Sequence, residues 1–301
     1  MDFKKLFFVG LISLGFLFPR TSISGKQKMI QIKGSDTMVN LVQILAEAFM
    51  EKNPEIPIAV LGGGSGTGIA ALINGTCEIA NHSRPWRKEE LELAKKRGIN
   101  PKQFIIAIDG LSIIVNESNP VEKLVIDELG AIYRGEITNW KEVGGPDKLI
   151  SLYGRQSNSG TYVFFQEHVL GNKNYSPHMK RMNGNAQIVE SIIRDKEGIG
   201  YVGIGYVIDI RTGKIRKGLK ILKIAMNKNS PAYSPLNKEA VYSGDYPIVR
   251  PLFQSTNGKP KGSVLKFIKF EISSEGQKIV KEEGFFQISP SHKAENEKNL
   301  K

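Results

Sequence analysis

The chain carries a single cysteine, Cys77, among 301 residues. One thiol cannot close an internal disulfide, so the fold must be held by burial of apolar surface. Cys77 sits in Ile73-Asn74-Gly75-Thr76-Cys77-Glu78-Ile79-Ala80, where it reads as a small buried hydrophobe. Histidine is also scarce. The four present (His82, His168, His178, His292) show no metal-ligand spacing with one another or with Cys77, so neither a metal nor a cofactor is expected. The nucleotide signatures are missing as well. The run Gly62-Gly63-Gly64-Ser65-Gly66-Thr67-Gly68 lacks the Gly-Lys-Ser/Thr ending of a P-loop, and its glycines do not fit G-x-G-x-x-G before a helix. Neither Ser65 nor Ser159 lies in a G-x-S-x-G elbow. With no lysine to reach a γ-phosphate, an anion bound here would be held and not transferred. Acidic residues fall short of basic ones, 30 against 42, giving a formal charge of +12. That balance favours anionic partners. The lysines are scattered, however, with no aromatic-interleaved basic run, so nucleic acid is not an expected partner.

Only one apolar run is unbroken by charge near a terminus, Leu6 to Phe18, and it is short for a membrane span. A basic lead (Lys4, Lys5) precedes it and Thr21-Ser22-Ile23-Ser24 follows, which reads as a secretory signal peptide over residues 1–24. An uncleaved anchor is the competing reading. No cysteine follows the run, so a lipid-modified N-terminal Cys is not expected, and the periplasm is the expected compartment.

The mature chain alternates strand and helix patterns, which predicts an α/β fold with largely parallel or mixed sheets. Met29–Gly34 alternates like a strand, ends in Ser35-Asp36-Thr37, and gives way to helical spacing at Leu41, Leu45, Ala48 and Phe49. Ile58–Leu61 runs through the glycine loop into Ile69–Ile73. Two long apolar crossings, near 105–116 and 245–253, predict two lobes. Residues 25–109 with 247–288 form the first lobe, 110–246 the second, and 289–301 read as a disordered tail. Asp109, inside the first crossing, reads either as a buried hinge residue or as part of a simple turn.

The stretch with the most chemistry is Arg155-Gln156-Ser157-Asn158-Ser159-Gly160-Thr161, a strand end opening into a helix. Unpaired backbone N–H groups at a helix N-terminus carry partial positive charge. Ser159 and Thr161 add hydroxyl donors, Gly160 admits an oxyanion to the backbone, and Arg155 adds a charged fork. This is a socket for a tetrahedral oxyanion. The plainer alternative is an ordinary Ser N-cap.

Seven segments in order carry a family resemblance. They are Gly34-Ser35-Asp36-Thr37-Met38, Gly63–Gly68, Asn81-His82-Ser83-Arg84, Gly135–Gly145, Arg155 with Ser159-Gly160-Thr161, Gly200–Tyr206, and Ser273–Val280. Together they resemble the periplasmic phosphate-binding proteins of phosphate ABC transporters (PstS-like) over about Ile30 to Ser289. The resemblance implies a two-lobed periplasmic-binding-protein fold of type II, a Venus flytrap hinged at two crossing segments. It implies a monomer that closes over inorganic phosphate and hands it to the membrane permease subunits of a phosphate ABC transporter, without catalysis. Carried over residue by residue, the phosphate ligands are Asp36, Thr37 and Ser65 from the first lobe, with Arg155, Ser159, Gly160 and Thr161 from the second. Better-studied members have an aspartate where this chain has Arg84, and that aspartate accepts the proton of monohydrogen phosphate. Here Asp36 is the candidate replacement acceptor, with Arg84 adding charge; the alternative is that Asp36 only caps its helix. Tyr162 replaces an Arg common after Ser-Gly-Thr and is not counted as a ligand. Trp86 and Trp140 read as structural. Two other readings stay open: a receptor for sulfate, molybdate or tungstate, and an enzyme acting on phosphorylated substrates.

Overall fold

The computed structural model describes residues 28–209 and 212–301. The expected signal peptide, residues 1–24, lies outside the described residues. In chain order, β1 (Ile30–Gly34) enters a 3-10 turn (Asp36–Met38) and α1 (Val39–Lys52), and β2 (Ile58–Gly63) enters α2 (Ser65–Ile73). β3 (Ile79–His82), α3 (Lys88–Lys96), β4 (Pro101–Gly110) and β5 (Ser112–Asn116) follow. Next come β6 (Lys123–Val125), α4 (Ile126–Arg134), β7 (Ser151–Arg155), α5 (Gly160–His168), β8 (Lys180–Met182), α6 (Asn185–Arg194) and β9 (Gly198–Val202). Short strands β10 (Ile208–Asp209), β11 (Lys214–Ile215), β12 (Leu219–Ile221), β13 (Lys223–Ala225) and β14 (Ala232–Tyr233) precede α7 (Lys238–Ser243). β15 (Val249–Asn257), α8 (Gly262–Glu271), α9 (Ser274–Glu282) and α10 (Pro290–Leu300) end the chain.

Two five-stranded sheets share one plan. The first runs β2-β1-β3-β15-β4 and the second β8-β7-β9-β5-β12. In each, the first three strands are parallel, the fourth (β15 or β5) joins them antiparallel, and the edge strand (β4 or β12) pairs antiparallel with the fourth. Parallel strands need crossover helices, and these cover the sheet faces. On α1, Leu41, Val42, Leu45, Ala46 and Phe49 form the buried stripe. The apolar run 104–116 breaks at Leu111: β4 belongs to the first sheet and β5 to the second. The return crossing lies against it, with the Leu111 amide donating to the Ile248 carbonyl at 2.9 Å and the Tyr246 hydroxyl to the Leu111 carbonyl at 2.6 Å. Among the described residues no helix is long and apolar enough to cross a membrane.

The C-terminal segment corrects one expectation. Residues 289–301, read as disordered from their polarity, form α10, with Ser289 as N-cap and Pro290 in the first turn. β4 is an edge strand, and its outward backbone groups need partners. The fully buried Asn296 supplies them. Its Oδ1 accepts from the Ile105 amide at 2.7 Å and its Nδ2 donates to the Ile105 carbonyl at 2.8 Å, so an amide side chain replaces a neighbouring strand. Asn299 does the same for the Gln103 carbonyl at 2.9 Å.

A second buried polar group lies between β15 and α8. Glu271 is fully buried and accepts from Gln254 Nε2 at 3.0 Å, while its other oxygen has no partner. Burial pushes its pKa well above the usual carboxylate range, against the opposing pull of the Gln254 hydrogen bond.

Two outcomes follow for stability. Asn296→Ala strands a buried amide and a buried carbonyl on Ile105, so denaturant unfolding should show a loss of about 2–4 kcal/mol. Glu271 keeps its proton in the folded chain but loses it in the unfolded chain above about pH 4.3. Its contribution is therefore full below that pH and falls as pH rises toward the elevated folded pKa. Stability curves of wild type and Glu271→Gln should diverge in favour of the glutamine variant as pH rises from 4 to 8.

Candidate functional site

Both sheets send the carboxyl ends of parallel strands toward one place, the usual site position in open α/β sheets. β7 ends at Arg155 and, after three loop residues, Ser159 caps α5. The Ser159 hydroxyl accepts from the amides of Thr161 (3.2 Å) and Tyr162 (3.4 Å). The N-cap reading of this stretch therefore holds. So does the close approach. A Cβ on Gly160 would lie 2.2 Å from Ser65 Oγ and 2.7 Å from Ser83 Oγ, so only glycine lets the start of α5 meet the loops of the other sheet.

Those loops bring Thr37, Ser65 and Ser83. Thr37 Oγ1 lies 2.9 Å from Thr161 Oγ1. Ser65 Oγ lies 3.4 Å from Ser83 Oγ and accepts from the Ser83 amide at 3.1 Å. All five hydroxyl residues (Thr37, Ser65, Ser83, Ser159, Thr161) are buried, and three helical N-termini, at Asp36, Ser65 and Gly160, converge on them.

Arg155 enters the same cluster with its side chain 2% exposed. Its Nη2 donates to Asp36 Oδ2 and to the Asn183 carbonyl at 2.8 Å, whereas Nε and Nη1 have no partner. Asp36 also accepts from the Gly63 amide at 2.8 Å through Oδ1. Asp36 is thus the carboxylate partner of Arg155 from the opposite sheet.

The structure adds Arg250 and Asp109, which stand opposite each other in the β15–β4 ladder. Both are fully buried, and Arg250 donates to Asp109 Oδ2 from Nε (3.0 Å) and Nη2 (2.8 Å). Asp109 Oδ1 takes the Ile204 amide at 2.9 Å. Nη2 of Arg250 also donates to Thr161 Oγ1 at 3.0 Å, and Nη1 to the Ser83 carbonyl at 3.1 Å. Burial pulls the Arg250 pKa below its ordinary value, and Asp109 opposes that shift. Of the two readings of Asp109, the buried polar one describes the structure. Arg250 was not among the residues singled out from the sequence. The only hint was a charge inside each apolar crossing, Asp109 in the first and Arg250 in the second.

Arg84, also among the candidate ligands, has both Nη atoms engaged away from the hydroxyls, while its buried Nε has no partner. Its guanidinium forks onto Glu90, Nη1 to Oε2 at 2.8 Å and Nη2 to Oε1 at 2.6 Å, and Nη1 also reaches the Pro85 carbonyl at 2.8 Å. Burial raises the Glu90 pKa, but hydrogen bonds from Arg84 and the Arg87 amide outweigh it, and the carboxyl sits below its ordinary value. Glu90 also closes the N-terminus of α3 through that Arg87 amide, 2.8 Å away. Arg84 therefore anchors α3, and the neighbouring Ser83 is what the segment gives the cluster. Trp86 and Trp140 are buried, each donating its indole N–H to a protein oxygen, Ser255 Oγ at 3.0 Å and the Glu197 carbonyl at 3.0 Å.

Two arginines and two aspartates sum to zero formal charge, so the cluster would hold an anion mainly by hydroxyl and amide dipoles. The chain has known counterparts. A PBP superfamily domain profile matches residues 21–275. The chain is 32% identical to the phosphate-binding protein PstS of Borreliella burgdorferi, over 95% of this chain and 99% of that one. Among solved structures, a substrate-binding protein of Clostridium perfringens with bound phosphate is similar at 31% identity and a TM-score of 0.75, covering 87% of this chain and 100% of that one. An ABC-type phosphate transport receptor from Vibrio cholerae is similar at 28% identity and a TM-score of 0.67, covering 86% and 100% respectively.

Because Arg84 is tied to Glu90, Arg84→Ala should lower stability by about 2–4 kcal/mol and leave anion affinity within about two-fold, since no cluster contact is lost. Denaturant melts alongside anion titrations check both halves.

Proposed function

The chain belongs to the phosphate-binding proteins of the PBP superfamily, and on that premise we propose that it captures inorganic phosphate between two lobes and delivers it to an ABC permease. The observation that carries this reading is Arg155, buried where it pairs with Asp36 of the opposite sheet, with two guanidinium nitrogens, Nε and Nη1, left unpartnered. Buried donors of this kind demand an acceptor, and an oxyanion is the acceptor that meets an arginine and several hydroxyls together. The ligand set is Asp36, Thr37, Ser65, Arg155, Ser159, Gly160 and Thr161, to which the geometry adds Ser83 and Arg250. The lobes divide at the crossings, residues 25–109 with 247–288 against 110–246, and α10 joins the first lobe through β4.

Asp36 is the carboxylate placed to accept the proton of monohydrogen phosphate. Its carboxylate is 19% exposed and accepts from Gly63 and Arg155, with lone pairs remaining, whereas Asp109 is closed in by Arg250 and the Ile204 amide. An anion with no proton to donate would face that carboxylate as like charge against like charge. The site reads as one that holds its ligand without turning it over. Its hydroxyls bond to one another, to backbone amides and to arginine, and His82 has both ring nitrogens engaged, by the Arg84 carbonyl and by Ser255 Oγ, each at 2.7 Å. Export by the signal peptide, residence in the periplasm and a monomeric state complete the reading.

Calorimetric titration of the mature chain should give phosphate binding that sulfate does not match; no heat with phosphate would overturn the reading. Arg155→Ala removes charge-assisted hydrogen bonds and should weaken phosphate binding by about 100-fold. Asp36→Asn should cut the preference for phosphate over sulfate by about ten-fold or more. Unchanged selectivity in that variant would sink the assignment of Asp36 as proton acceptor.

A further inference from the structure

Asn158 spans the cleft without entering the anion cluster. It is exposed, in the loop between β7 and α5, and bonds only to the glycine loop of the opposite sheet. Its carbonyl accepts from the Gly66 amide at 3.0 Å. Its Nδ2 donates to the Gly63 carbonyl at 2.9 Å, with Thr67 Oγ1 3.4 Å away. The fit is close: a Cβ on Gly64, where φ is +93°, would lie 2.8 Å from the Asn158 carbonyl oxygen. The seat for Asn158 is held from within its own loop, because Thr67 Oγ1 also donates to the Gly63 carbonyl, at 2.7 Å. Gly63 is the node. Its carbonyl takes Asn158, and its amide holds Asp36, the carboxylate partner of Arg155.

We propose that Asn158 is an affinity-determining clasp that favours the closed arrangement of the lobes directly and slows release of phosphate without touching it. The proposal rests on the phosphate-capture reading for its ligand, and on geometry alone for the clasp. A ligand that needs the closed form binds with an affinity scaled by the closed fraction. Removing the side-chain hydrogen bonds at the cleft mouth lowers that fraction and speeds opening. The effect is blind to the chemistry of the anion, which separates a clasp from a ligand.

The test is Asn158→Ala in the full mature chain, an exposed substitution that should leave the unfolding midpoint unchanged. Phosphate affinity should fall about ten-fold, mainly through the dissociation rate, and arsenate affinity should fall by the same factor. Spin labels on the exposed faces of α3 and α6 should report longer distances in the unliganded variant than in the unliganded parent. Affinity and off-rate within two-fold of the parent would overturn the clasp. So would different factors for phosphate and arsenate, which would make Asn158 a ligand. If the parent itself binds no phosphate, the functional reading fails, and the label distances still decide the clasp: equal distances overturn it.

Discussion

A fully buried guanidinium is the constraint around which the cleft is arranged. Arg250 and Asp109 sit where the chain passes between the sheets, both fully buried. Ion pairs in such places are tolerated only when their remaining hydrogen-bonding capacity is filled. Here the filling groups come from several elements: the Ser83 carbonyl, the Ile204 amide and the Thr161 hydroxyl. Ser83 follows β3, Ile204 begins the 3-10 turn after β9, and Thr161 opens α5. Satisfying one buried pair thus fixes the relative positions of loops from both sheets. The face of Phe164, 5.2 Å from the guanidinium carbon, closes another side of Arg250.

Arg155 differs from Arg250 in what it lacks. Arg250 has a partner for every guanidinium nitrogen through Asp109, Ser83 and Thr161, while Arg155 leaves Nε and Nη1 without any. Arg250 is mostly taken up by the protein, and Arg155 has more left to offer an anion. Asp36 keeps that availability from becoming indiscriminate. By pairing with Arg155 it brings the local formal charge to zero, so attraction at the site comes from short-range, directional donors. Directional donors reward tetrahedral geometry, and a carboxylate beside them rewards a protonated oxygen.

The parts of this arrangement legible in the sequence were those with local signatures. Strand, hydroxyl-rich turn and helix succeed one another at Ile30–Lys52, Ile58–Ile73 and Ser151–His168, and the structure has these units there. Ser159 was read two ways, as a cap and as part of a socket; the structure has its oxygen capping α5, and the residue is buried. Long-range pairing was not legible. Arg84, at the end of Asn81-His82-Ser83-Arg84, looked like site charge, but a glutamate six residues on takes both its Nη atoms in two hydrogen bonds. The tail looked disordered because polar composition says nothing of a single amide meeting an edge strand. Arg250 was silent for the same reason, since its partner lies 141 residues away.

Neither sheet carries a complete socket, so on the proposed function closure and binding would be one event. The first contributes the hydroxyls of Thr37, Ser65 and Ser83 and the carboxylate of Asp36. The second contributes Arg155 and the hydroxyls of Ser159 and Thr161. In an open cleft each set faces water, where a hydrogen bond to an anion adds little net free energy. Brought together, the two sets exclude water from one another, and each donor then acts at low effective dielectric. Direct bonds across the cleft, from Tyr206 to the Asp36 carbonyl at 2.6 Å and from Thr37 to Thr161 at 2.9 Å, align the halves. Such bonds must remain few and small. A cleft held shut by its own contacts would retain its cargo, and a carrier has to open again. The number of donors reserved for the anion, against the number reserved for the opposite lobe, sets that balance.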